Sequence, residues 1–141
     1  MRNRFCFVFL LMASLTVEAR EPVHVALGGW STHLKSESVT NETHNIVAVE
    51  HRGYGAGYFK NSFGRDSFFV SKNWRWEVYE NVEVTASLGL NRGYRGCYGD
   101  SKESARVCLH GHLGIGYTKY FIEPTIKLFG NVVVFSPEIR F

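Results

Sequence analysis

The stretch that most limits what this chain can become is its last one, residues 120–141. From Tyr120 through Ile122, Pro124, Ile126 and Leu128, every second side chain is apolar or aromatic, with Glu123, Thr125 and Lys127 between them. After Phe129-Gly130-Asn131 the alternation resumes. Val133, Phe135, Pro137, Ile139 and Phe141 fall on one face, Ser136, Glu138 and Arg140 on the other. Side chains of a β-strand alternate with period 2, so this is a pair of strands with one greasy and one charged face. In a water-soluble sandwich the charged face meets solvent. In a membrane barrel the greasy face meets lipid and the charged face lines the bore.

The rest of the chain repeats the pattern. Eight segments read as strands, at residues 23–34, 43–52, 55–63, 67–79, 82–91, 105–117, 120–129 and 132–141. Their connections alternate between tight and long, the long ones at residues 35–42 and 92–104, both falling on one side. Outer-membrane barrels have an even number of strands, short turns at the periplasmic end and longer loops outside. Face composition separates this from a soluble eight-stranded barrel. Phe68, Val70, Trp74, Trp76 and Val78 share a face interrupted by Lys72, opposite Ser67, Ser71, Asn73, Arg75 and Glu77, with Phe69 the exception. Val82, Val84, Ala86, Leu88 and Leu90 oppose Glu83, Thr85, Ser87, Gly89 and Asn91. Bulky residues on every strand would overfill so narrow a bore, whereas small and polar ones fit it. The expected fold is therefore all-β: an eight-stranded antiparallel transmembrane β-barrel of outer-membrane type. Trp74, Trp76, Tyr79, Tyr117 and Tyr120 would form its periplasmic aromatic girdle. In the first two segments the alternation is less regular, and Trp30 and Ile46 are candidates for the inside. Across the bore, Glu77, Glu83, Glu123, Glu138, Arg75 and Arg140 fall in the periplasmic half. Gly28, Ala48, Phe69, Ser71, Ser87 and Gly89, with Phe59 a candidate addition, leave a less polar external half.

Residues 1–19 have the layout of a cleaved export signal: Arg2 and Arg4, an apolar run from Phe5 to Met12, and Val17-Glu18-Ala19 before the cut. The barrel domain is then 20–141. The chain beyond the signal has no apolar run long enough for a spanning helix. The net charge of +3, with Lys and Arg scattered, gives no case for nucleic acid. Cys97 and Cys108 remain after the signal, and an exported chain favours a disulfide between them over two free thiols. No Cys or His spacing points to a metal or a cofactor. His110 and His112 would both face the bore, and hydrogen bonding there suits them better than ligation lacking a third ligand.

Chemistry has three places to sit, all at external strand ends. They are Trp30-Ser31-Thr32-His33, Thr40-Asn41-Glu42-Thr43-His44, and Lys60-Asn61-Ser62-Phe63-Gly64. A His and a Ser brought to one rim make a base–nucleophile pair, although solvated rim residues look the same in a sequence.

On Trp30 to His33, Asn41-Glu42, Lys60-Asn61-Ser62, and the final strands from Gly116-Tyr117 through Gly130-Asn131-Val132 to Arg140-Phe141, the chain resembles outer-membrane lipid A palmitoyltransferases, particularly short phage and bacterial homologues. The resemblance implies transfer of palmitate from a phospholipid to lipid A at the external rim. It implies His33 as base and Ser62 as nucleophile or positioning hydroxyl. Asn61 stands where the family has Asp, and it can orient a neighbour but not act as a carboxylate. The family's amphipathic helix before the first strand has no counterpart in the few residues between the cut and Val23. The implied partners are lipid A, phospholipid and the barrel assembly machinery, which reads a terminal aromatic such as Phe141. A monomer is expected. Two alternatives stand beside this reading. One is a non-enzymatic barrel whose loops bind a surface partner or mask a phage receptor. The other is a lipid A deacylase, whose family also uses His and Ser in an eight-stranded barrel.

Overall fold

A computed structural model of the chain describes residues 21–34, 41–93 and 107–141. The expected export signal and Cys97 lie outside the described residues. Nine strands are present: β1 (Val23–Leu27), β2 (Trp30–His33), β3 (Val47–His51), β4 (Tyr54–Lys60), β5 (Asp66–Tyr79), β6 (Val82–Arg92), β7 (Val107–Tyr117), β8 (Ile122–Phe129) and β9 (Val132–Arg140). Each pairs antiparallel with its sequence neighbour from β3 onward, and β9 returns to pair with both β1 and β2. β1 and β2 are two halves of one stave, so the nine strands make a closed barrel of eight. Val23 N–H donates to the Phe141 carbonyl (3.1 Å) and Phe141 N–H to that of Val23 (2.9 Å), sealing the ring at the chain's end. Among the described residues there is no helix.

The first stave breaks at Gly28-Gly29. Between Ala26↔Glu138 and Trp30↔Phe135 it advances four residues while β9 advances three. That extra residue is a β-bulge, and it reverses which side chains face inward. Gly28 takes φ 77, where any side chain but hydrogen would be strained. Its carbonyl, turned off the ladder, accepts from the fully buried Ser136 hydroxyl at 3.0 Å. The inside therefore changes from His24 and Ala26 to Ser31 and His33. Trp30, expected as a candidate for the inside, is instead 52 % exposed and stacks on outward Phe135. Ile46 does face the cavity.

The remaining staves follow the alternation. Ser67, Ser71, Asn73, Thr85, Ser87, Asn91, Glu123, Thr125, Ser136 and Glu138 are buried. Phe68, Val70, Trp74, Trp76, Leu88, Leu90, Leu109, Leu113, Ile115 and Ile126 are exposed. This inverts the usual arrangement, in which apolar side chains are inside and charge outside. The aromatic residues expected near the tight turns, Trp74, Trp76, Tyr79, Tyr117 and Tyr120, are all exposed. The β3–β4 turn has φ 52 at Arg52 and φ 73 at Gly53, the two positive angles of a type I′ hairpin, which matches the twist of the strands it joins.

Candidate functional site

The bore is divided by a layer of charge. Arg75, on β5, reaches across it. Its Nε donates to Glu50 Oε1 (2.9 Å), Nη1 to Glu83 Oε1 (2.7 Å), and Nη2 to Glu50 Oε2 (2.8 Å) and Glu138 Oε2 (2.9 Å). Lys127 Nζ lies 2.5 Å from Glu138 Oε1, and Arg140 Nη2 2.8 Å from Glu123 Oε1. One guanidinium thus ties β3, β5, β6 and β9 together, and Lys127 adds β8. A planar fork with five donors suits this task as an ammonium would not. The sequence grouped Arg75, Glu83, Glu123, Glu138 and Arg140 correctly, but Glu77 is exposed and stands outside the layer. Glu50 and Lys127 complete it.

His24, Glu123 and Glu138 bring ligand-type atoms within 4.8 Å of one another. The carboxylates are already neutralised by Arg75, Lys127 and Arg140, so a dication there would meet three cations at close range. The ion pairs account for the cluster without a metal.

On the other side of the charge layer the bore opens into a cavity of about 550 Å³. Its floor is Glu50, Arg75, Lys127 and Glu138; its walls include Ile46, Ala48, Phe59, Phe69, Phe129, Val132 and Val134; His33, Ser62, Phe63 and Asn131 lie at its rim end. Phe59 and Phe69 pack ring to ring at 6.1 Å. His110 sits edge-on to Phe69 (5.7 Å), and His112 lies against Phe129 (4.5 Å). Both histidines face the bore, as alternation required. Neither Nδ1 has a hydrogen-bond partner among the described side chains. Phe63 and Phe129 thus add to the Phe59 and Phe69 expected in this half of the bore.

The rim is stitched by side chains from the three stretches singled out in the sequence. Asn41 Nδ2 donates to the Asn61 carbonyl (3.1 Å), and Asn41 N–H to the Ser62 carbonyl (3.0 Å). His33 and Ser62 line the same cavity, from β2 and from the turn after β4. Asn61 is fully buried and does not line it. Its Nδ2 donates to Ser67 Oγ (3.0 Å) and the Gly93 carbonyl (3.1 Å), and its Oδ1 accepts from the N–H groups of Phe63 (2.9 Å) and Arg65 (3.1 Å). All four hydrogen-bonding positions of the amide are used. Asn61 therefore fixes the turn that carries Ser62, and acts on Ser62 through the backbone. An Asp here would lose both donor bonds.

A second His–Ser contact lies close by. His44 Nε2 is 2.7 Å from Ser31 Oγ, and His44 Nδ1 is 2.6 Å from the Lys60 carbonyl. Both residues stood in stretches marked as chemically promising, yet the pairing between them could not be read from spacing. Cys108 is buried and disulfide-bonded.

No protein-family model matches the chain, and no curated protein does.

Proposed function

We propose that the protein is an outer-membrane barrel that holds a lipid acyl chain in the external half of its bore and acts on the acyl ester at the rim. The observation that carries this is the cavity: about 550 Å³, walled by Ile46, Phe59, Phe69 and Phe129, closed beneath by the Arg75 layer, with His33 and Ser62 at its mouth. Its volume falls in the ~300–1,000 Å³ range of small-molecule sites. A charged floor under an apolar shaft suits a ligand whose chain points in and whose polar end stays at the rim.

The membrane location rests on the exterior. Leu88, Leu109, Leu113, Ile115 and Ile126 are between about half and two-thirds exposed, which is costly in water and ordinary in lipid. The signal-like residues 1–19 and a bonded Cys108 agree with export. His33 would take a proton from the acceptor hydroxyl, Ser62 would position the ester, and Asn61 would hold Ser62 in place. Lipid A and phospholipid are the substrates that the sequence resemblance favours.

Mass spectrometry of lipid A, with and without expression in a Gram-negative host, tests the reading. A gain of one palmitoyl group supports transfer to lipid A. A loss of acyl mass indicates a deacylase using the same rim. Unchanged mass, with the protein folded in the outer membrane, favours the non-enzymatic barrel whose loops bind a surface partner. An active His33→Ala variant would remove His33 as the base.

A further inference from the structure

We propose that Ser31 and His44 form a nucleophile–base pair, and that Ser31 carries the acyl group as a covalent ester during turnover. This rests on the acyl-ester reading above; it changes the chemistry from one displacement to two and moves the base from His33 to His44.

The two side chains are brought together by the backbone. Ser31 N–H donates to the Glu42 carbonyl (2.9 Å), His44 N–H to the Gly29 carbonyl (2.8 Å), and Trp30 bridges Thr43 between them. The bulge at Gly28-Gly29 turns Ser31 inward, in register with the cavity-lining Val134. His44 itself lines the cavity and is only 5 % exposed, so its ring has little freedom.

The hydrogen bonds then fix the tautomer. A backbone carbonyl can only accept, so the 2.6 Å contact to Lys60 requires the proton on His44 Nδ1. In the neutral ring Nε2 is left with its lone pair, and the Ser31 hydroxyl 2.7 Å away donates to it. A hydroxyl aimed at an imidazole lone pair, with the far nitrogen held by a third group, is what activates a serine for attack. The third group is itself anchored, because Lys60 N–H donates back to the His44 carbonyl at 2.6 Å. The other cavity histidines differ. His24, His33, His110 and His112 each have a buried Nδ1 without a hydrogen-bond partner, so nothing comparable sets their tautomers. A carbonyl orients the ring but stabilises an imidazolium less than a carboxylate would, which predicts a slow enzyme.

The substrate class is a long-chain acyl ester. Ser31 Oγ bonds to the acyl carbonyl carbon while its proton passes to His44 Nε2. The ester C–O bond breaks and the departing alkoxide takes that proton, leaving as an alcohol. An acceptor hydroxyl, or water, then attacks the acyl-serine and gives its proton to His44. The C–Oγ bond breaks, and the proton returns to Ser31 Oγ. Nothing is oxidised, and acceptor and donor are the only co-reactants.

The test is covalent labelling of the full chain, purified and folded in detergent micelles, with an alkyl fluorophosphonate bearing a long chain. The expected result is one adduct per chain, mapped by peptide mass spectrometry to Ser31. His44→Gln should slow its formation by roughly 10²–10⁴-fold, the usual contribution of a general base. No adduct on the folded protein, or an adduct on Ser62 or any other residue, overturns the proposal. Mapping is done on the unaltered chain, so a variant that fails to fold does not decide the matter. The readout is also separate from lipid A mass. A labelled Ser31 with unchanged lipid A would retain the nucleophile and remove the transferase reading. Modified lipid A with no adduct would do the reverse.

Discussion

Removing the cation at the centre of the charge layer should be among the most damaging single changes in the barrel. Arg75 makes four hydrogen bonds of 2.7–2.9 Å to three carboxylates, and its side chain is only 16 % exposed. In Arg75→Met, Glu138 keeps Lys127 at 2.5 Å and Glu83 keeps Arg140 at 3.8 Å. Glu50 keeps only the Asn73 amide at 2.8 Å. One carboxylate, 12 % exposed, loses its counter-ion outright and two others lose half of theirs. Breaking a buried pair by removing one partner costs about 3–5 kcal/mol, because the remaining charge stays desolvated. With a urea slope of about 2 kcal/mol/M, a loss of roughly 4 kcal/mol lowers the unfolding midpoint by about 2 M. Urea titration in lipid vesicles, followed by the fluorescence of Trp30, Trp74 and Trp76, measures this directly. The sign of a second substitution is sharper still. Glu50→Gln alone should destabilise, whereas in the Arg75→Met background it should stabilise, since it removes the orphaned charge. If Arg75→Met unfolds within about 1 kcal/mol of the parent, or if Glu50→Gln is harmful in both backgrounds, the charge layer does not hold the barrel as argued.

Three further outcomes follow from single residues. Leu113→Arg, on an outward side chain that is 61 % exposed, should cost about 2–4 kcal/mol in a bilayer and almost nothing if that face meets water; vesicle unfolding compared with yield of detergent-free protein separates the two. Asn61→Asp replaces an amide whose two donors serve Ser67 and Gly93, so the unmet bonds should lower stability by about 1–3 kcal/mol, read as an earlier urea midpoint, without raising activity. Gly28→Ala, at φ 77 with only Trp30 at 3.7 Å from the new Cβ, and Gly130→Ala, at φ 59 in open space, should each cost about 1–2 kcal/mol by the same titration, the backbone cost alone.

Much of this barrel is legible from alternation, because period 2 sorts side chains between bore and exterior without any knowledge of pairing. Phe69 could be placed inside from its parity alone, and so could Arg75, Glu83, Glu123 and Glu138. The first stave defeated that logic. Counting on from His24 and Ala26 puts Trp30 inside and Ser31 out, and only the bulge at Gly28-Gly29 reverses it. Gly-Gly is visible as a weak point, but whether it inserts a residue depends on what β9 presents opposite. Parity put Lys127 on the charged face; its ion pair with Glu138 needed the β8–β9 register and the lean of both side chains. Asn61 was placed beside Ser62 as a partner in chemistry. Its amide instead turns away from the cavity to close a turn, a direction that a residue just past a strand end does not reveal.

The same bulge explains why the chemistry gathers where it does. A regular first stave would present Trp30 to the bore and leave Ser31 and His33 outside, where Ser31 could not meet the inward His44 and His33 would find no cavity. By inserting one residue, the chain moves a large ring out to Phe135, brings His33 to the mouth of an apolar shaft and sets Ser31 against the cavity-lining His44. The exchange leaves the Gly28 carbonyl without a ladder partner, and Ser136 supplies one from the opposite strand. Ser136, Gly28 and the Ser31–His44 contact are therefore parts of one device. Ser136→Ala should loosen the bulge and slow labelling of Ser31 while leaving the Arg75 layer intact. A variant that unfolds earlier yet labels at the parent rate would mean that the bulge holds its shape without Ser136, and that the kink and the hydroxyl–imidazole pair are independent.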